Sequence, residues 1–180
     1  MVARAGFTSP TFIPLAPVVA MSNRWRIFTE RRIMNLMNYT STVSPLRSIA
    51  RIESELQKIG VTHIAKLYDN GNVTGIVFQI AHNGMPLTFK LSARTQAIET
   101  LMLATVKRPR KDTQARVKDQ SRRTAWKIVS DSVAIKVAEI MIEGRNTIEA
   151  FLSSVYNMQK DQTLFEQIEA GKFKALKSGE

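Results

Sequence analysis

The 180-residue chain has no cysteine, which excludes disulfides, thiolate nucleophiles and cysteine-ligated metal. Histidine occurs only as His63 and His82, and no H-E-x-x-H string is present, so a zinc site would lack ligands. Neither G-x-x-x-x-G-K-[ST] nor G-x-G-x-x-G occurs, and with them goes the glycine-rich loop that cradles a nucleotide. No apolar run reaches the ~18 residues of a membrane span, so a soluble, cytoplasmic protein without a membrane partner is expected. No catalytic residue, metal or cofactor is expected, and the chain does not read as an enzyme. His63 reads as a partly buried strand residue and His82 as a solvated turn residue. Asp131, Glu139, Glu143 and Glu149, with Lys136 and Arg145 nearby, read as a solvated helix face with i,i+4 pairing.

Between Lys107 and Lys127 acids are scarce and bases are not. Lys107, Arg108, Arg110, Lys111, Arg116, Lys118, Arg122, Arg123 and Lys127 stand against Asp112 and Asp119 alone. This one stretch supplies +7 of the net +11. Charge so localised is the footprint of a polyanion partner, because each neutralised phosphate releases condensed counterions.

Order along the chain follows from its punctuation. Residues 1–36 hold a proline-broken apolar run and no acid before Glu30, and read as a flexible or non-native N-terminal extension. Ser44-Pro45 supplies an N-cap and a first-turn proline, and Ile49, Ile52, Leu56 and Ile59 recur at helical spacing until Gly60. Three strand segments follow, Thr62 to Tyr68, Val73 to Ala81 and Met85 to Leu91, separated by Asn70-Gly71 and Asn83-Gly84. Asn-Gly favours a two-residue hairpin because both residues tolerate positive φ. Two such turns place Leu67 opposite Thr74, Ala65 opposite Ile76 and His63 opposite Phe78, then Ile80 opposite Leu87, Phe78 opposite Phe89 and Ile76 opposite Leu91. The apolar face is then Ala65, Leu67, Ile76, Phe78, Ile80, Leu87, Phe89 and Leu91, and Lys66, Tyr68 and Lys90 fall on the open face.

A second helix, from Ala93 to Val106, should cover that apolar face together with the first. After Pro109 a long helix starts near Thr113, with Trp126, Val129, Val133, Val137, Ile140 and Met141 as its stripe. Gly144 ends or kinks it, and Ile148, Phe151, Leu152 and Val155 resume the pattern. The expected fold is α+β: a three-stranded antiparallel meander packed by helices (α-β-β-β-α), with a long C-terminal helix or helical hairpin. The domain spans residues 37–158, and 159–180 form a polar tail in which Leu164, Phe165, Ile168, Phe173 and Leu176 can make a peripheral amphipathic turn.

The order helix, three antiparallel strands, helix resembles the double-stranded-RNA-binding domain in topology only, since Ser92-Ala93-Arg94-Thr95-Gln96 lacks that family's lysine cluster. Other strings lie closer to a second family. They are Asn38-Tyr39-Thr40, Ser48-Ile49-Ala50-Arg51-Ile52-Glu53, Gly60-Val61-Thr62-His63-Ile64, Val77-Phe78-Gln79-Ile80, Phe89-Lys90-Leu91 and Arg123-Thr124-Ala125-Trp126-Lys127-Ile128-Val129-Ser130-Asp131. Over about residues 37–158 these look like a family of short proteins of unassigned function carried by bacteriophages and prophages. The resemblance implies a cytosolic protein of a phage or mobile element that acts on nucleic acid or on a host protein, and it supplies no catalytic residues. Where that group continues into a second acidic, apolar helix, this chain has a basic approach and Gly144.

The expected function is non-catalytic binding of DNA or RNA. Lys107, Arg108, Arg110 and Lys111 form a basic loop. Arg116, Arg123 and Lys127 share one side of the following helix, and Lys118 and Arg122 form an adjacent strip. Such contacts give affinity and salt dependence but little sequence choice. Lys66, Tyr68 and Lys90 on the open face of the sheet offer a second platform for single strands, while Trp126, set in the apolar stripe, is expected to be buried. The alternative is a protein-interaction module, a host-factor inhibitor or a dimer through the Trp126 to Val155 stripe, whose bases meet an acidic protein surface.

Overall fold

In the computed structural model residues 36–106, 108 and 110–171 are described. The N-terminal extension up to residue 35, Lys107, and the Phe173 and Leu176 of the tail lie outside the described residues. The chain is α+β, with a three-stranded antiparallel sheet in the order β1-β2-β3.

Helix α1 (Pro45–Gln57) starts where the sequence places it: the Ser44 hydroxyl accepts the Arg47 N–H at 3.3 Å, and proline occupies the first turn. Strands β1 (His63–Asp69), β2 (Asn72–His82) and β3 (Met85–Ser92) follow. Both Asn-Gly turns adopt the left-handed conformation they were read for, with φ of 48° and 74° at Asn70 and Gly71 and of 50° and 78° at Asn83 and Gly84. The β2–β3 register is the expected one, with Ile80, Phe78 and Ile76 opposite Leu87, Phe89 and Leu91.

The first hairpin departs from expectation. Asp69 pairs with Asn72 and Tyr68 with Val73 as a two-residue loop requires, but Leu67 then pairs with Gly75, Lys66 with Ile76 and Ile64 with Phe78. Thr74 is the extra residue of a β-bulge, and its hydroxyl turns back to the Leu67 carbonyl at 3.4 Å. Gly75 permits the bulge, since a Cβ there would sit 3.1 Å from the Leu91 carbonyl oxygen and 3.3 Å from Leu67 Cδ1. A glycine inside a strand was the available signal. Because side chains alternate, the one-residue slip exchanges the faces of β1: Ile64, not Ala65, joins the core. His63 is exposed rather than partly buried.

The helices also divide differently. Helix α2 (Thr95–Ala104) was expected on the sheet, yet its Ile98 and Met102 pack with Ala125 in a separate cluster bordered by Leu36, Tyr39, Val117 and Ile128. Helix α3 (Lys111–Glu143), 33 residues long, takes that place beside α1. Ile49, Ile52 and Leu56 of α1 and Trp126, Val133 and Val137 of α3 close over Ile76, Phe78, Ile80 and Phe89. The reason lies in the number of apolar rows. Helix α3 has one stripe for the sheet and small or apolar residues at Val117, Ser121, Ala125 and Ile128 for α2, so it alone can be sandwiched.

Gly144 ends α3 in the left-handed conformation, φ 66°. No long second arm follows. Helix α4 (Thr147–Phe151) is capped by the Asn146 side chain, and it gives way to a 3₁₀ turn (Leu152–Ser154). Phe151 is thereby wedged edge-on against Phe78 and Phe89, centroids 5.5 and 6.2 Å away, while those two rings stack at 5.0 Å. Val155 bridges to Phe89 beside β3. The short hairpin β4 (Tyr156–Asn157) and β5 (Gln162–Thr163) leads into α5 (Leu164–Ala170), which begins with a capping box between Thr163 and Glu166.

Candidate nucleic-acid interface

Helix α3 changes character along one stripe. Trp126, Val133 and Val137 face the sheet, but the residues one and two turns upstream of Trp126 are Arg122 and Lys118. The stripe thus runs out from under the sheet and turns basic. It opens a cleft of about 600 Å³ bounded by the start of α1 at Ser44 and Pro45, the β1–β2 turn with Tyr68, and the start of α2 at Thr95. Lys118 and Arg122, with the buried Trp126 behind them, line it on the α3 side. Tyr68 is 65% exposed at its rim. Sequence reading treated Tyr68 and the basic helix as separate platforms. The fold brings them to one cleft.

Acids line the cleft too, namely Asp69, Glu99 and Asp119, the last held by Arg123 at 2.9 Å. The excess positive charge lies along the helix beyond it. Arg108, Arg110, Lys111, Arg116 and Lys118 are exposed and Arg122 is half-buried, and none of the six has an ion-pair or side-chain hydrogen-bond partner among the described residues. Arg110 is the N-cap of α3 and forms no side-chain cap, and the first turn carries one acid, Asp112. Bases at the positive end of a helix dipole raise the local potential instead of neutralising it.

The remaining expected contacts are drawn into the framework. Arg123 reaches back to Asp119 and donates to the Thr42 carbonyl at 3.2 Å. Lys127 bonds to Asp131, whose carboxylate also accepts from Arg51 at 3.0 Å and Asn38 at 2.9 Å. Burial would raise the Asp131 carboxyl, but the hydrogen bonds from Lys127 and Asn38 and the charges of Lys127 and Arg51 hold it below the ordinary carboxylate value. Gln120 and Thr124 add bonds to the carbonyls of residues 38, 39 and 41, so the turn that leads into α1 is strapped along α3.

Lys66, displaced by the bulge, turns toward α1 and pairs with Glu53 at 2.8 Å, which raises its pKa. Tyr68, two residues on in the same strand, shares that face, so neither lies on the open face where the sequence placed them. Lys90 is closed off by Asp161 at 2.8 Å and lies 4.7 Å from the Tyr156 ring centroid. Burial lowers its pKa, yet the bond to Asp161 and the neighbouring charges leave it raised. Of the solvated acid–base face expected here, Arg145, just beyond α3, pairs with Glu139, Glu143 and Glu149 at 2.9, 3.9 and 4.0 Å, whereas Asp131 belongs to the framework instead and Lys136 finds no carboxylate within ion-pair distance. Sequence reading missed this, since whether a lysine is covered depends on Phe151, fifteen residues away.

Among the described residues no group of three His, Asp or Glu side chains could hold a metal ion, and no helix is long and apolar enough to cross a membrane. Compared with protein-family models, curated proteins and solved structures, the chain matches none.

Proposed function

We propose that this chain is a non-catalytic nucleic-acid-binding protein of a bacteriophage or mobile element, acting on DNA or RNA in the cytoplasm. The observation that carries this reading is the set of six bases, Arg108, Arg110, Lys111, Arg116, Lys118 and Arg122, running from just before a 33-residue helix through its first turns without acid partners among the described residues. Unpaired bases, five of them exposed and Arg122 half-buried, keep their charge for a ligand, and a polyphosphate backbone is the ligand that satisfies a row of them. The row leads into the cleft at Lys118 and Arg122, where the exposed Tyr68 ring offers a stacking surface for an unpaired base.

Anisotropy of labelled single- and double-stranded DNA and RNA of matched length, across a salt series, tests the reading. Log K falling linearly with log salt, with a slope equivalent to about four or more phosphates, supports it. Absence of binding at low salt sinks it.

The rival is a protein-interaction module in which the same bases meet an acidic host surface or a second copy. The Trp126 to Val137 part of the expected dimer stripe is buried against the protein's own sheet. What the rival retains is the exposed apolar end of α3, Ile135, Met141 and Ile142. Sedimentation of the chain with Met141 and Ile142 both changed to Gln separates the two, because nucleic-acid binding through the basic row is unaffected by that change.

A further inference from the structure

A second cleft, of about 320 Å³, lies between the end of β3, the third quarter of α3 and the segment from Phe151 to Glu166. It shares no lining residue with the first. Three bases reach it from three parts of the fold: Lys90 on β3, Arg94 at the N-cap of α2 and Lys136 on α3. One acid lines it, Glu166, and that carboxylate already accepts the Thr163 N–H at 2.7 Å. Lys90 is held by Asp161. Neither Lys136 nor Arg94 has an ion-pair partner among the described residues, although, beside the hydrogen bonds from Thr163, the charges of Lys90 and Arg94 both act on Glu166 and help to hold its carboxyl below the ordinary value.

Lys136 is the telling member. Its ammonium lies 4.9 Å from the Phe151 ring centroid, and burial lowers its pKa, which the charge of Glu139 offsets only in part. A half-buried cation that makes no ion pair, with Glu139 offsetting its burial only in part, is costly, and a bound oxyanion lessens that cost through a charge-assisted hydrogen bond. Ser92, Ser132 and Ser153 supply hydroxyls around the same space, and Val129, Val133 and Phe165 supply an apolar wall. The volume is at the small end of the ~300–1,000 Å³ typical of ligand pockets.

We propose that this cleft binds a small organic oxyanion, a phosphate monoester or a carboxylate with a flat apolar body, its head between Lys136 and Arg94 and its body against Val129 and Phe165. The site is independent of the nucleic-acid reading.

The test titrates phenyl phosphate, benzoate and inorganic phosphate separately into the full chain, following the Lys136 side-chain resonances and the thermal midpoint. The expected result is a saturable Lys136 shift with phenyl phosphate or benzoate at lower concentration than with inorganic phosphate, and a raised midpoint. Whichever of the two organic probes binds tighter identifies the head group. Lys136→Met removes a half-buried charge and should fold. It is expected to weaken binding about tenfold or more, with Arg94→Gln, at an exposed position, acting in the same direction. The proposal is overturned by no saturable shift with any probe at millimolar concentration. It is equally overturned by inorganic phosphate binding as tightly as phenyl phosphate, or by both variants binding like the parent.

Discussion

Arg123 and Lys127, one turn apart on α3, both end on acceptors of their own chain, whereas Lys118 and Arg122, within the same three turns, end on none among the described residues. All four share a helix, a charge and a neighbourhood. They differ in what the tertiary structure sets opposite them. The first pair faces the 38–42 segment and Arg51, where Asp131 gathers three donors; the second faces a cleft whose far wall is a turn and two helix starts. A basic helix is therefore not one functional unit. Part of it fastens the fold, and part of it stays available to a ligand.

The contrast can be broken first at its apolar end. Trp126→Ala removes the buried ring on which the stripe turns from core to cleft, and about 4 kcal/mol of stability should be lost, read by urea unfolding. Next comes the fastening pair. Asp131→Ala strips Asn38, Arg51 and Lys127 of a common acceptor and should cost about 2 kcal/mol, mostly through Lys127 and Asn38, since Arg51 is half in water. Polynucleotide binding should persist in the folded protein.

The same carboxylate gives the comparison a pH axis. Its folded pKa is lowered, so its contribution is complete above the unfolded value of about 3.9 and is lost as pH falls through the folded pKa. Denaturant midpoints of parent and Asp131→Ala should converge as pH is lowered below about 4, and a gap that stays constant down to low pH would refute the ion-pair account. The smallest free-energy change is expected where no partner exists. Lys118→Gln with Arg122→Gln should leave stability within about 0.5 kcal/mol of the parent while making the salt dependence of binding shallower by about two phosphates. An unchanged salt slope would move the interface away from the cleft.

Much of this was readable before folding is considered. Ser44-Pro45, two Asn-Gly turns and Gly144 punctuate the chain by local backbone preference, and each acts at the position expected of it. The apolar alternation of β2 and β3 was equally legible, because both strands meet at a regular turn. The bulge at Thr74 was not read, although Gly75 marks it, and it carried Lys66 from the open face to Glu53. Helix α2 was misassigned because an apolar row shows that a face is buried without showing against what.

What the sequence alone determined is therefore the α+β class, the two Asn-Gly turns, the start of α1 and the end of α3, and the concentration of charge between residues 107 and 127, since each depends on near neighbours in the chain. Tertiary structure decided which of those charges are unpaired among the described residues, that Tyr68 shares a cleft with Lys118 and Arg122, and that Lys136 lies over Phe151 without an ion pair. The physical reason is range. Backbone preferences act over a few residues, but the solvation and pairing of a charge depend on whatever the fold brings within a few ångströms, here from residues as far as 93 positions apart.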